Sequence, residues 1–164
     1  MFDNCCISLP YPCVSGRVNN KELELLYDLY AGRFSESTLL ATYFYQSITL
    51  RDCSLNQLIR EIKACELKHL NLLADAITVF GGDPVFAGTH NYFSGSYPIY
   101  EREIKSAIYS DLYLKEQIIE QYSKLERIAQ NSSLLELISR ILMDEKLHYD
   151  LLTNAYSNQL EFCE

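Results

Sequence analysis

Apolar residues recur at steps of three and four along most of the chain. Between Asn20 and about Leu50 they fall at Leu26, Leu29, Leu40, Tyr43 and Leu50, which predicts one long helix with a bend at Gly32. The stripe Ile59, Ile62, Glu66, His69, Leu73, Ala76 predicts a second helix. It opens on a capping box, Ser54 with Gln57, runs to Phe80 and stops at Gly81-Gly82-Asp83-Pro84. A third helix, from about Ile99 to Ala129, presents Ile104, Ile108, Asp111, Lys115, Ile118, Tyr122, Leu125 and Ala129 on one face. Asn131-Ser132-Ser133 breaks the pattern, and a capping box of Ser133 and Glu136 opens a fourth helix facing Leu134, Ile138, Ile141, Glu145, His148 and Leu152 inward. Residues 82–98 form the one long connection. Extended at about 3.3 Å per residue it spans roughly 55 Å, the length of a bundle. The expectation is an all-α four-helix bundle over residues 20–159, with one long crossover between helices 2 and 3. An irregular N-terminal tail bearing Cys and Pro, residues 1–19, and a short C-terminal tail, residues 160–164, flank it.

Composition narrows the function classes. The 164 residues, 48% hydrophobic and with only 6 Gly and 4 Pro, suit a single domain with a sizeable core. A net charge of −8 offers no basic stripe to nucleic-acid phosphates, so no nucleic-acid partner is expected. No window approaches the roughly 18 uninterrupted apolar residues of a membrane span, and residues 1–10 lack the basic-then-apolar order of a signal peptide. A soluble cytoplasmic protein with no membrane partner is the expectation. Cys5, Cys6, Cys13, Cys53, Cys65 and Cys163 form no CxxC pair. Free thiols are expected in a reducing compartment, with a disulfide or thiol role left open for the Cys5-Cys6-Cys13 cluster.

The candidate chemistry lies on the inward stripes. Glu66-Leu67-Lys68-His69 and Glu145-Lys146-Leu147-His148 each place a Glu and a His three apart on an otherwise apolar helix face. A carboxylate there is costly unless it is paired or bound to metal. Two such pairs converging on a bundle axis supply the oxygen and imidazole nitrogen that divalent transition metals take; a pair of buried hydrogen bonds is the plainer alternative. The spacings also repeat. Glu36 precedes Tyr43 by 7 and Glu66 by 30, as Lys115 precedes Tyr122 by 7 and Glu145 by 30. Tyr43 to His69 and Tyr122 to His148 are both 26. The two halves therefore read as pseudo-repeats that give corresponding positions to one site. In that register Glu36 is a ligand candidate, and its counterpart is a lysine.

Tyr30-Ala31-Gly32, Ser35-Glu36, Tyr43, the two Glu-x-x-His motifs, Gly81-Gly82-Asp83-Pro84 and Asp144-Glu145 resemble the ferritin-like superfamily, in its rubrerythrin and bacterioferritin branch. The resemblance spans about residues 27–153. It implies a di-iron or di-manganese carboxylate site that handles ferrous iron, peroxide or dioxygen. It further implies Glu36 as a terminal carboxylate, Glu66 and Glu145 as bridging carboxylates, and His69 and His148 as terminal imidazoles. Helix 3 departs from the family pattern Asp-x-x-x-Glu. Asp111 is followed at the fourth place by Lys115, with Glu116 one step late and about 100° away around the helix.

That lysine changes the charge arithmetic. Four carboxylates, −4, match two divalent ions, whereas three carboxylates and an ammonium sum to −2, matching one divalent ion or two imidazolium ions. Three arrangements stay open: Lys115 in the site with one metal or none, a two-metal site using Glu116 or Asp111 after a register shift, or Lys115 snorkelling to solvent. Tyr43 and Tyr122 are candidates to hydrogen-bond ligand carboxylates, and Asp111 to orient a His or pair with Lys115. His90 is expected at the surface. Tyrosines concentrated in residues 92–122 suit loop packing or a homodimer interface. Two functions compete. One is an iron- or manganese-dependent oxidoreductase acting on small oxidants or ferrous iron. The other is a degenerate bundle with one metal or no cofactor, acting as a structural or interaction protein.

Overall fold

A computed structural model describes residues 5–161, with the side chains of the last two of these excepted. Five helices, α1 (Asn20–Ala31), α2 (Glu36–Thr49), α3 (Cys53–Val79), α4 (Ile104–Ile128) and α5 (Ser132–Glu161), form the four rods of a bundle, α1 and α2 together making the first. No β-strand occurs among the described residues; one isolated bridge pairs Ala87 with Tyr92 in the crossover.

The first rod is broken where a single bent helix was expected, and the break sets the position of Glu36. The Gly32 backbone turns extended, and a Cβ there would lie 2.5 Å from the carbonyl oxygen of Asp28, so only glycine passes this point. The hydroxyls that follow then take the freed carbonyls. Ser35 Oγ donates to Gly32 O (2.7 Å), Thr38 Oγ1 to the same oxygen (3.2 Å) and Ser37 Oγ to Tyr30 O (2.6 Å), while Ser35 Oγ accepts from Thr38 N and caps α2. Glu36 is thereby the first residue of α2 and points inward.

Other helix ends differ from the sequence expectation for the same kind of reason. Asp52, not Ser54, caps α3 by accepting from Leu55 N, since its carboxylate reaches the first turn from an extended backbone. Gln57 instead donates to Glu61. α4 starts at Ile104 because Glu103 accepts from Lys105 N and Ser106 N, and Ile99 N is drawn away to Thr42 Oγ1. Asn131 rather than Ser133 accepts from Leu134 N at the start of α5. α5 reaches Glu161, and the remainder of the expected C-terminal tail, with Cys163, lies outside the described residues.

The crossover runs the length of the first rod. Tyr27 OH donates to Asp83 O, Thr89 N to Asp28 Oδ1 and Ile99 N to Thr42 Oγ1, in that order along α1 and α2. Buried Glu22 joins the start of α1 to the α4–α5 turn by accepting from Gln130 N and Asn131 N. Leu26, Leu29, Ile59, Ile62, Leu73, Ile108, Ile118, Leu125, Leu134, Ile138, Ile141 and Leu152 fill the core as their periodicity predicts. A layer of buried polar side chains interrupts it. Residues 5–19 lie as a strap across the outside of α3 and α5.

Candidate metal centre

Glu36 from α2, Glu66 and His69 from α3, Lys115 from α4, and Glu145 and His148 from α5 are all fully buried and meet in one cluster. Such a concentration of charge in a core is tolerated only because the groups pair. Lys115 Nζ lies 2.5 Å from Glu66 Oε1, 2.6 Å from Glu145 Oε2 and 3.2 Å from His148 Nδ1. His148 Nδ1 lies 2.9 Å from Glu66 Oε1. On the other side His69 Nδ1 faces Glu66 Oε2 at 3.2 Å, Glu145 Oε1 at 3.1 Å and Glu36 Oε1 at 3.8 Å.

The protonation pattern follows from these contacts. Burial raises Glu36 well above the usual carboxylate range, and the neighbouring Glu145 and Glu66 raise it further. Burial acts the same way on Glu66, but Lys115 and then the two imidazoles outweigh it and hold that carboxyl well below the usual range. Glu145 is lowered too: against burial and the Glu66 charge stand Lys115, His148 and His69. Burial would neutralise Lys115, yet Glu145, Glu66 and Glu36 keep it charged with its pKa raised. His69 is also raised, burial being outweighed by its close contacts with the Asp144, Glu145 and Glu66 carboxylates. His148 follows, burial losing to the Glu66 charge.

Each imidazole is oriented from behind through Nε2. Asp144 Oδ2 sits 3.2 Å from His69 Nε2 and itself accepts from Tyr11 OH (2.8 Å) and Arg140 (2.6 Å), while its Oδ1 accepts from Ile7 N (2.7 Å). Those donors, set against its burial, hold Asp144 well below the usual carboxylate range. His148 has no such carboxylate. The internal repeat maps Asp144 onto Cys65, since 144 − 65 and 145 − 66 are equal, and the strap supplies Cys5 O at 2.5 Å from His148 Nε2 instead.

The lysine side chain ends in the site, so neither the snorkelled nor the shifted arrangement occurs. Glu116 is exposed and accepts from Tyr149 OH, because its position one step along α4 turns it outward; it is no ligand candidate. Asp111, also inward, bonds Gln46 Nε2 (2.8 Å) rather than a histidine or Lys115, and burial lifts its pKa to about 8 against the opposing effects of Gln46 and Lys115. Tyr122 donates to Glu36 Oε1, whereas the buried Tyr43 hydroxyl bonds nothing, so of the two tyrosines only Tyr122 supports a carboxylate. His90 lies exposed in the crossover. Asp144, Tyr11, Arg140 and Cys5 O are the supporting groups that sequence spacing did not assign; the equal offset of Asp144 and Cys65 was the available signal for the first.

Glu36 Oε2 is buried without a hydrogen-bond partner, and Glu145 Oε1, though close to His69, has no hydrogen bond of good geometry. One ligand atom from each of Glu36, Glu66, His69 and Glu145 lies within 4.8 Å of the others. Three carboxylates and an imidazole at that spacing suit one hard-to-borderline divalent ion. A second ion, between Glu66, Glu145 and His148, would meet the Lys115 ammonium at the same oxygens and does not fit.

Residues 29–156 match the sequence profile of the rubrerythrin family. The chain belongs to that family. No curated protein sequence matches it. Among solved structures, a manganese catalase from Anabaena PCC7120 superposes with a TM-score of 0.80 at 16% identity, over 89% of this chain and 75% of that one. The bacterioferritin of Desulfovibrio desulfuricans gives 0.65 at 21% identity, over 84% and 78%. A ferritin-like diiron-carboxylate protein from Bacillus anthracis gives 0.64 at 18% identity, over 85% and 99%. These likenesses establish the ferritin-like bundle. Among the described residues no helix is long and apolar enough to cross a membrane.

Proposed function

We propose that this rubrerythrin-family chain is a cytoplasmic redox protein that binds one iron or manganese ion through Glu36, Glu66, His69 and Glu145, with Lys115 standing in the second metal position. The observation that carries this reading is the buried, unpartnered Glu36 Oε2, opposite an ammonium held between Glu66 and Glu145. The solved relatives include a manganese catalase and a diiron bacterioferritin, which supports both metals as occupants. When bound through these residues, iron or manganese would supply Lewis acidity and one-electron redox chemistry toward peroxide or dioxygen.

The chain's own groups divide the remaining work. Tyr122 holds Glu36 Oε1 and leaves Oε2 directed at the ion position. Asp144 fixes the His69 ring so that Nδ1 faces the carboxylates. Lys115 holds a proton and a positive charge between Glu66 and Glu145. All of these side chains are fully buried, away from bulk solvent.

Elemental analysis of the native protein beside Lys115→Glu tests the reading. One iron or manganese per wild-type chain and two per variant chain are expected. Two per wild-type chain would overturn the role of Lys115. None in either protein favours the second reading, a metal-free structural bundle. That reading has its own support, because Lys115, His148 and His69 already pair with Glu66 and Glu145 without any metal.

A further inference from the structure

Cys6 of the strap is joined to Cys65 of α3 by a disulfide spanning 59 residues of sequence. We propose that this disulfide is a site of reversible exchange with an external dithiol, and that its reduction releases residues 5–11 from the back of the histidine site. The proposal stands on geometry that is independent of which metal, if any, is bound.

The two sulfurs face different environments. Cys6 is only half-buried, and the exposed Lys68 places Nζ 3.8 Å from its Sγ, so a thiolate arriving from solvent meets this sulfur beside a positive charge. Cys65 is buried, with Sγ 3.6 Å from His69 Nε2 and 3.8 Å from Tyr11 OH. One end of the bond is therefore open to attack while the other touches the site. A purely structural crosslink has no need of that placement.

What the bond tethers also matters. Residues 5–11 provide Cys5 O to His148, Ile7 N and Tyr11 OH to Asp144, and Ile7 O and Leu9 O to Arg140. The next stretch is anchored separately, Ser15 O and Arg17 O accepting from Asn131. Pro12 lies between the two anchorages. Loss of the disulfide thus leaves the first stretch held by these hydrogen bonds alone, without its covalent tether, while the second keeps its own anchorage.

One thiolate of the external dithiol bonds to Cys6 Sγ, the Cys6–Cys65 bond breaks, and its electron pair goes to Cys65 Sγ, which takes a proton. The second thiol of the reagent then attacks its own mixed-disulfide sulfur and expels Cys6, which takes the other proton. The reagent is oxidised to a disulfide and gives up two electrons and two protons. A hydroperoxide reverses the change: it accepts both electrons and both thiol protons, re-forming the bond and yielding an alcohol, or water from hydrogen peroxide, together with one water. Reversibility of this kind suits a chain operating in a reducing compartment.

Full-length protein, purified without reductant, tests this by alkylation mass spectrometry and amide hydrogen exchange before and after dithiothreitol, and after hydrogen peroxide. Complete reduction in native buffer is expected, with at least tenfold faster exchange at residues 5–11, no change in the cores of α3 and α5, and restoration by peroxide. Cys6→Ser should show the fast strap exchange without any reagent. Reduction only after the helices melt would overturn the proposal. So would strap exchange that is equal in both redox states, or two free thiols in the protein as purified.

Discussion

Lys115 occupies in the second half of the chain the position that Glu36 occupies in the first, and the tyrosine that goes with each finds a different answer. Tyr122 donates to Glu36, whereas Tyr43, its counterpart by the repeat, has a buried hydroxyl with no partner. An ammonium has three donors and no acceptor, so the hydroxyl that would meet a carboxylate at position 115 meets none. A buried, unpaired hydroxyl costs about 1–3 kcal/mol. Tyr43→Phe is therefore expected to be neutral or stabilising, whereas Tyr122→Phe, which strips Glu36 of its donor, should lose about 1–2 kcal/mol. In a Lys115→Glu background Tyr43→Phe should become destabilising. A double-mutant cycle by denaturant unfolding measures this, and a coupling near zero would contradict it.

The ammonium also acts as the counter-ion of the core. Lys115→Met removes the cation from between Glu66 and Glu145 and leaves two carboxylates to the imidazoles alone. Breaking a buried ion pair in this way typically costs about 3–5 kcal/mol. Without metal, the variant should unfold at clearly lower denaturant than the wild type at pH 7. Added manganous ion should recover more stability in the variant than in the wild type, because binding to the folded state stabilises by mass action. Equal stability of the two metal-free proteins would show that Lys115 is not the counter-ion.

Most of this architecture was legible in the sequence, and what was not has physical causes. Periodicity located Ile59 to Ala76 and Ile108 to Leu125 on inward faces because burial follows the helical repeat whatever the neighbours are. The break before Glu36 was read as a bend, since a Gly followed by hydroxyl residues signals only a weak point; that Ser35, Ser37 and Thr38 recapture α1 carbonyls depends on three-dimensional fit. Glu36, Glu66, His69, Glu145 and His148 were brought to one site by a spacing rule. Lys115 was placed on the same face, but its three possible settings differ only in side-chain direction, which spacing does not encode. The strap was beyond reach because several of its contacts, such as Cys5 O with His148, join a backbone atom to a residue more than a hundred positions away.

Asp111 makes stability depend on pH in a definite direction. Its folded pKa of about 8 lies above the ordinary value of 3.8, because burial penalises the charge. Below the ordinary value the acid is protonated in both states and the full contribution is present. Between about pH 4 and pH 8 only the folded state keeps the proton, so this contribution falls as pH rises, by about 1.4 kcal/mol per unit, and is lost once pH passes the folded pKa. Asp111→Asn keeps an oxygen for Gln46 and removes the titration. The variant should be more stable than the wild type at pH 7.5, with the advantage shrinking toward pH 4.5. An unfolding series across that range tests the difference in slope; parallel curves would refute it.

Asp144 acts on the centre only through His69, so its replacement separates orientation from charge. Asp144→Asn keeps the side-chain shape but weakens the hold on His69 Nε2 and gives up the charged contact with Arg140. Loss of such a partner behind a ligand histidine lowers metal affinity about 10–100-fold. Manganous-ion titration by calorimetry should show that loss with unchanged stoichiometry. A change in stoichiometry instead would place Asp144 among the ligands.

Metal binding itself should release protons. Glu36 is held protonated by burial and by Glu145 and Glu66, and His69 carries a proton that Asp144, Glu145 and Glu66 stabilise. Both must give up that proton to offer a lone pair to an ion, whereas Glu66 and Glu145, already ionised by Lys115, need not. His148 stays with Lys115 and Glu66 on the far side and keeps its proton. Proton release on binding is therefore expected, and affinity should rise with pH. Calorimetry in buffers of different ionisation enthalpy counts the protons directly. In Lys115→Glu a second ion should additionally draw the proton from His148. Binding without proton release in the wild type would mean that the ion does not enter between Glu36 and His69.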